Sequence, residues 1–178
     1  MADELERLLG LPLDEFVSAR TEAAKRLRKE GRPEEAAELA SLRKPTAAVW
    51  AVNQAARREP GDVRALVRAA EAVRKDPAGG ERDFRAALRD VVRDAEEALR
   101  EAGRPPSDDT VRRIGTTAHA AAATQPDVLV RGILLEELEP SGFEAMAGMA
   151  PPKPKPAARE QPPAKAAGAS AAAQRKAD

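Results

Sequence analysis

Apolar residues in this chain recur every three or four positions, and nowhere do they alternate as along a half-buried strand. Proline and glycine interrupt the pattern at short intervals, at Gly10, Gly31, Pro33, Pro45, Pro60, Pro77, Gly103, Pro105 and Pro126. A chain punctuated this way can bury its apolar stripes only by packing several short helices against one another. The expectation is an all-α fold. About seven helices, mostly antiparallel, form a bundle over residues 1–149.

The boundaries follow from local chemistry. An opening helix runs over about 3–9 and stops at Gly10. Pro12 suits the first turn of a second helix, which carries Phe16, Val17, Ala23, Ala24 and Leu27 on one stripe and ends at Gly31. Pro33-Glu34-Glu35 opens a third, with acids at the positive end of its dipole, and it runs to about Arg43. Pro45 forbids simple continuation, so a new helix begins with Thr46 as its cap or with Pro45 at its first position. Pro60-Gly61-Asp62 reads as a turn with a cap, and Asp76-Pro77-Ala78-Gly79-Gly80 as a loop. The longest helix is expected over 81–101, with Phe84, Leu88, Val91, Ala95, Ala98 and Leu99 facing inward. Ser107 caps the next. A last apolar segment, 128–138, carries Val128, Val130, Ile133, Leu134, Leu135 and Leu138.

Beyond Ala150 no large apolar residue remains, and a Pro/Ala/Lys composition cannot offset the entropy of ordering. Residues 150–178 are therefore expected to be a disordered basic tail, with six cations against Glu160 and Asp178. The whole chain holds 30 basic and 30 acidic side chains, so its bulk charge favours neither nucleic acid nor an anionic membrane. Without cysteine there is no disulfide framework or thiolate chemistry, and the single histidine, His119, rules out a His-rich metal site. Neither a signal peptide nor an apolar run of membrane-spanning length is visible. These features together lead us to expect a cytoplasmic protein with no cofactor, no metal and no membrane association.

One segment stands apart. Residues 39–58 contain no acid, in a chain whose charged fraction is 34%, and they hold the only Trp. On a helix, Ala48, Val52, Ala55 and Ala56 share one face, while Trp50 lies in a sector with Asn53, Gln54 and Arg57. That sector is either a contact surface, because Trp is enriched at binding hot spots, or a second packed face. Four aromatics in all (Phe16, Trp50, Phe84 and Phe143) favour packing, since a fold this poor in rings can hardly leave its largest one in water. Arg20 interrupts the stripe of the second helix and must find acceptors there. The side-chain carbonyls of Asn53 and Gln54 are the expected partners. Arg20, Trp50, Asn53, Gln54 and Arg57 thus form the candidate interaction or structural polar site.

Catalytic alternatives find little support. His119 has no carboxylate at helical spacing, the adjacent acid pairs diverge around their helices, and there is no glycine-rich phosphate loop or nucleophile elbow. The cation pairs Arg43/Lys44 and Arg57/Arg58, with the basic tail, offer weak, sequence-independent nucleic-acid association as an alternative function, though four cations are few for it.

The run Leu11-Pro12-Leu13-Asp14-Glu15-Phe16, then Leu42-Arg43-Lys44-Pro45 with Ala48, Trp50, Ala51, Val52, Asn53 and Gln54, resembles a group of small helical proteins of actinobacteria. Members of that group also carry a late Gly-Phe, here Gly142-Phe143. The resemblance covers about 11–143 and implies an all-helical body with a variable tail. It brings no activity and no catalytic residues. The function expected from the sequence is a non-enzymatic protein-interaction or regulatory module with an unidentified protein partner.

Overall fold

A computed structural model describes residues 2–140, and those residues form eight helices and no strand. They are α1 (Ala2–Gly10), α2 (Phe16–Lys29), α3 (Pro33–Ser41), α4 (Ala47–Arg58), α5 (Pro60–Lys75), α6 (Pro77–Glu101), α7 (Asp108–Thr124) and α8 (Pro126–Arg131). The tail expected at 150–178, and the stretch 141–149 before it, lie outside the described residues.

Three helices, α4, α6 and α7, begin where a side chain satisfies a free N–H group. Thr46 Oγ1 accepts from the Val49 N–H at 3.3 Å, so Thr46 is the cap of α4 and Pro45 stays outside the helix. Ser107 Oγ accepts from Thr110 N–H at 3.2 Å at the start of α7. Four boundaries differ from the sequence expectation, the first being that α2 starts at Phe16, so Pro12 lies outside its first turn. Asp76 to Gly80 is not a loop: Asp76 Oδ1 caps Gly79 N–H at 3.2 Å, and Pro77 supplies the first residue of α6, which starts four residues early. Pro60-Gly61-Asp62 is likewise not a turn but the first turn of α5, joined to α4 by Glu59 alone. The apolar segment 128–138 does not continue as one helix. It breaks at Gly132, whose φ of +64° is left-handed, and proceeds without helix to Pro140.

Two apolar clusters form the interior. The smaller joins α1, α2 and α3 through Leu8, Leu9, Phe16, Ala23, Ala24, Leu27, Ala36 and Leu39. The larger joins α4 to α8 and includes Trp50, Val52, Leu66, Phe84, Val91, Leu99, Ile114 and Leu129. The helix α4 is buried at every position from Ala48 to Ala56, the pattern of a helix enclosed on all sides. Its four alanines there let neighbours approach closely. Each buried methyl contributes only about 0.8 kcal/mol, so the polar ties of this helix are comparable in size to its apolar contacts.

Close approach also explains Gly80. A Cβ at that position would lie 2.7 Å from Val73 N and 2.9 Å from Val73 Cα, so α5 and α6 touch backbone to backbone where they diverge from Asp76. Only glycine fits that contact.

Candidate functional site

The polar face of α4 is turned toward main chain, not solvent. Trp50 is 4% exposed, and its indole N–H donates to the Leu11 carbonyl at 2.8 Å. Gln54 Nε2 donates to the Leu9 carbonyl at 3.3 Å and to the Gly10 carbonyl at 3.4 Å. Arg57 reaches the Glu6 carbonyl at 2.7 Å and the Gly132 carbonyl at 3.1 Å. Desolvation lowers the Arg57 pKa, opposed by the charge of Glu6. Gln54 and Trp50 thereby bind the last carbonyls of α1 and the linker after it, where helix carbonyls lack intrahelical partners, and Arg57 joins α1 to Gly132.

Asn53 faces the other way along the same surface. Its Nδ2 donates to the Leu134 carbonyl at 2.9 Å, and its Oδ1 accepts from the Leu134 N–H at 2.9 Å. The amide therefore replaces a missing backbone partner for Leu134, in fully buried surroundings. Gly132 is part of the same joint: a Cβ there would lie 2.8 Å from the Asn53 carbonyl oxygen.

Four of the five candidate residues thus belong to one arrangement, which clamps the end of α1 with the linker after it and the segment after α8. Arg20 does not. It donates to the Leu42 carbonyl just past α3, not to Gln54 and not to Asn53, whose amide oxygen already accepts from the Leu134 N–H. Of the two readings of Trp50, the packed face is the one observed. Its ring lies within the larger cluster, and its only polar atom is satisfied internally.

The cation pairs are largely occupied. Lys44 Nζ lies 3.9 Å from Asp14, a carboxylate that also receives Arg104, and Arg58 pairs with Glu101. Arg57 is held by the carbonyls above, and Arg43 is exposed. His119 is half-buried, its ring edge-on to Phe84 with centroids 4.8 Å apart. Among the described residues no group of His, Asp and Glu is placed to hold a metal ion, and no helix is long and apolar enough to cross a membrane.

Two features escape a reading of the sequence. Glu137 accepts from Thr46 Oγ1 at 2.6 Å and from Arg113 Nε at 2.7 Å, tying the segment after Gly132 to the starts of α4 and α7. The Arg113 guanidinium holds the Glu137 carboxyl below its ordinary pKa. Nothing local to Glu137 signals this, because its partners lie 91 and 24 residues away.

The second feature is a cleft of about 260 Å³ lined by Leu5, Val128, Ile133, Leu134, Leu135 and Leu138, with Gln125 and Glu136 among its polar members. Leu135 is 46% exposed. Asn53 and Glu137 hold the chain on either side of it, so one wall of the cleft is fixed by the clamp on Leu134. Chemically the cleft offers apolar contact and no nucleophile. No family model, curated protein or solved structure matches this chain.

Proposed function

We propose that this chain is a non-enzymatic protein-interaction module whose contact surface is the apolar cleft around Leu135. The observation that carries this reading is the pairing of a large exposed side chain with an apolar recess. Val17, the other exposed large hydrophobe among the described residues, stands outside both apolar clusters. Single exposed apolar residues are ordinary, whereas one set in an apolar cleft offers a partner an anchor point. The chemistry suits an apolar segment of a protein, such as one face of an amphipathic helix.

The Trp50 face does not serve in this proposal. It positions the wall of the cleft by holding Leu134. Nucleic-acid association through Arg43/Lys44 and Arg57/Arg58 is the weaker reading, since carboxylates or backbone carbonyls already take three of those four cations.

Selection of helical peptides from a random library against the full chain tests the proposal. Enriched peptides are expected to share apolar anchors three or four residues apart and to lose binding to Leu135→Asp, while Val17→Asp binds them unchanged. Peptides insensitive to Leu135→Asp would remove the cleft as the contact surface.

A further inference from the structure

The charges around the cleft are not balanced. Glu136 is one of its lining residues, Glu139 follows the lining Leu138, and Asp127 precedes the lining Val128. All three are exposed, and none meets a cation within ion-pair distance among the described residues. The cations nearby in the fold are already neutralised. Arg131 at the end of α8 donates to Glu6 at 2.9 Å, Arg113 donates to Glu137 at 2.7 Å, and Arg7 pairs with Glu4. The charge left uncompensated around the apolar recess is therefore acidic. Such a rim draws in cationic partners and repels anionic ones.

We propose that the cleft selects basic amphipathic helices. An apolar stripe seats against Leu135, and Lys or Arg residues flanking that stripe meet Glu136 and Glu139, with Asp127 adding to the field. This rests on the reading of the cleft as an interaction surface and specifies the charge of its partner. Apolar contact supplies attachment, and the carboxylates supply the choice between signs. An acidic amphipathic helix would set like charges against uncompensated carboxylates, which is discrimination by repulsion. An anionic lipid surface meets the same repulsion. A basic stretch without large apolar side chains brings the charge but no anchor.

A library of helical peptides tests the proposal, with leucines fixed at i, i+3, i+4 and i+7 and each flanking position either Lys or Glu. It is selected against the full chain at low and at physiological salt. Lys-flanked peptides are expected to be enriched and to bind at least about fivefold more tightly than their Glu-flanked counterparts at low salt, a ratio that falls as salt rises. Glu136→Lys combined with Glu139→Lys should reverse the preference. Both positions are exposed and outside helices, so the circular dichroism of this variant should match the parent. Leu135→Asp should lose the enriched peptides altogether. Enrichment without preference for either sign, or a Lys preference that survives the double substitution, would overturn the proposal. If those peptides still depend on Leu135, the cleft remains an interaction surface without charge selection. Lys-flanked peptides that bind Leu135→Asp as well as the parent, or that bind equally well after their leucines are replaced by serine, would show attraction by charge alone and remove both readings. An absence of enrichment would also remove both. Self-association of the chain that ends in Leu135→Asp would make the occupant a second copy and overturn the proposal.

Discussion

Asn53 supplies to Leu134 the hydrogen bonds that an extra turn of helix or a strand partner would otherwise supply. Removing its amide leaves a buried N–H and a buried carbonyl without partners. Each orphaned group costs about 1–3 kcal/mol, far more than the net gain from making an average hydrogen bond. Asn53→Ala is therefore expected to lower unfolding free energy by roughly 2–4 kcal/mol in a denaturant titration, a large share of the stability of a small domain. A loss within the range of an ordinary surface substitution would contradict the clamp. Asp94 makes the opposite case. It is 8% exposed, Arg93 meets one oxygen at 3.0 Å, and Oδ2 has no hydrogen-bond partner among the described residues. Burial, with nearby Asp62 adding to it, raises the Asp94 pKa, and Arg93 only partly opposes this. Folding thus favours protonated Asp94. The resulting stabilisation is complete below the ordinary aspartate range and is lost as pH rises through the raised folded-state value. Asp94→Asn is expected to raise the Tm at pH 7, and melts repeated at falling pH should show that advantage shrinking. An advantage that grew on acidification would reverse the assignment.

The helices themselves are largely legible in the sequence, because apolar spacing and proline position act locally. The cap at Ser107, the stop at Gly31 and the start at Pro33 all follow from neighbours within four residues. The features that escape it depend on contacts remote in sequence. Asp76-Pro77-Ala78-Gly79-Gly80 has loop composition, yet Gly80 is there because α5 approaches it within backbone contact. The segment after Arg131 has a helical apolar pattern, yet α4 captures its backbone groups first. Trp50, Asn53, Gln54 and Arg57 are recognisable as one polar face, but nothing local says that the carbonyls of Glu6, Leu9, Leu11, Gly132 and Leu134 meet them. The two glycines separate these causes. In Gly132→Ala the new methyl meets the Asn53 carbonyl in a left-handed conformation, so strain and clash combine, and a loss of roughly 2–4 kcal/mol is expected. Gly80→Ala clashes in an ordinary helical conformation where alanine has the better propensity, and about 1–3 kcal/mol is expected. Thermal melts of both variants check the order, and a stabilised Gly80→Ala would mean that α5 and α6 do not touch there.

At the scale of the molecule, α4 is the member that joins two small apolar clusters into one fold. It contributes Trp50 and a row of small side chains to the larger cluster, and hydrogen bonds to the linker that leads into the smaller one. The acid-free segment around Trp50 coincides with that junction: Leu42 receives Arg20, Thr46 caps the helix, and Trp50, Asn53 and Gln54 grip the main chain. A segment so fully engaged leaves recognition to another surface, and the cleft around Leu135 is where the proposal places it. The central claim is that the Trp50 face is spent inside the fold. Trp50 is the only tryptophan, so its fluorescence reports on that claim alone. An enclosed ring predicts blue-shifted emission and weak quenching by iodide and acrylamide in the folded chain, both lost together on unfolding. Emission at the wavelength of tryptophan in water, with strong quenching before unfolding, would contradict it.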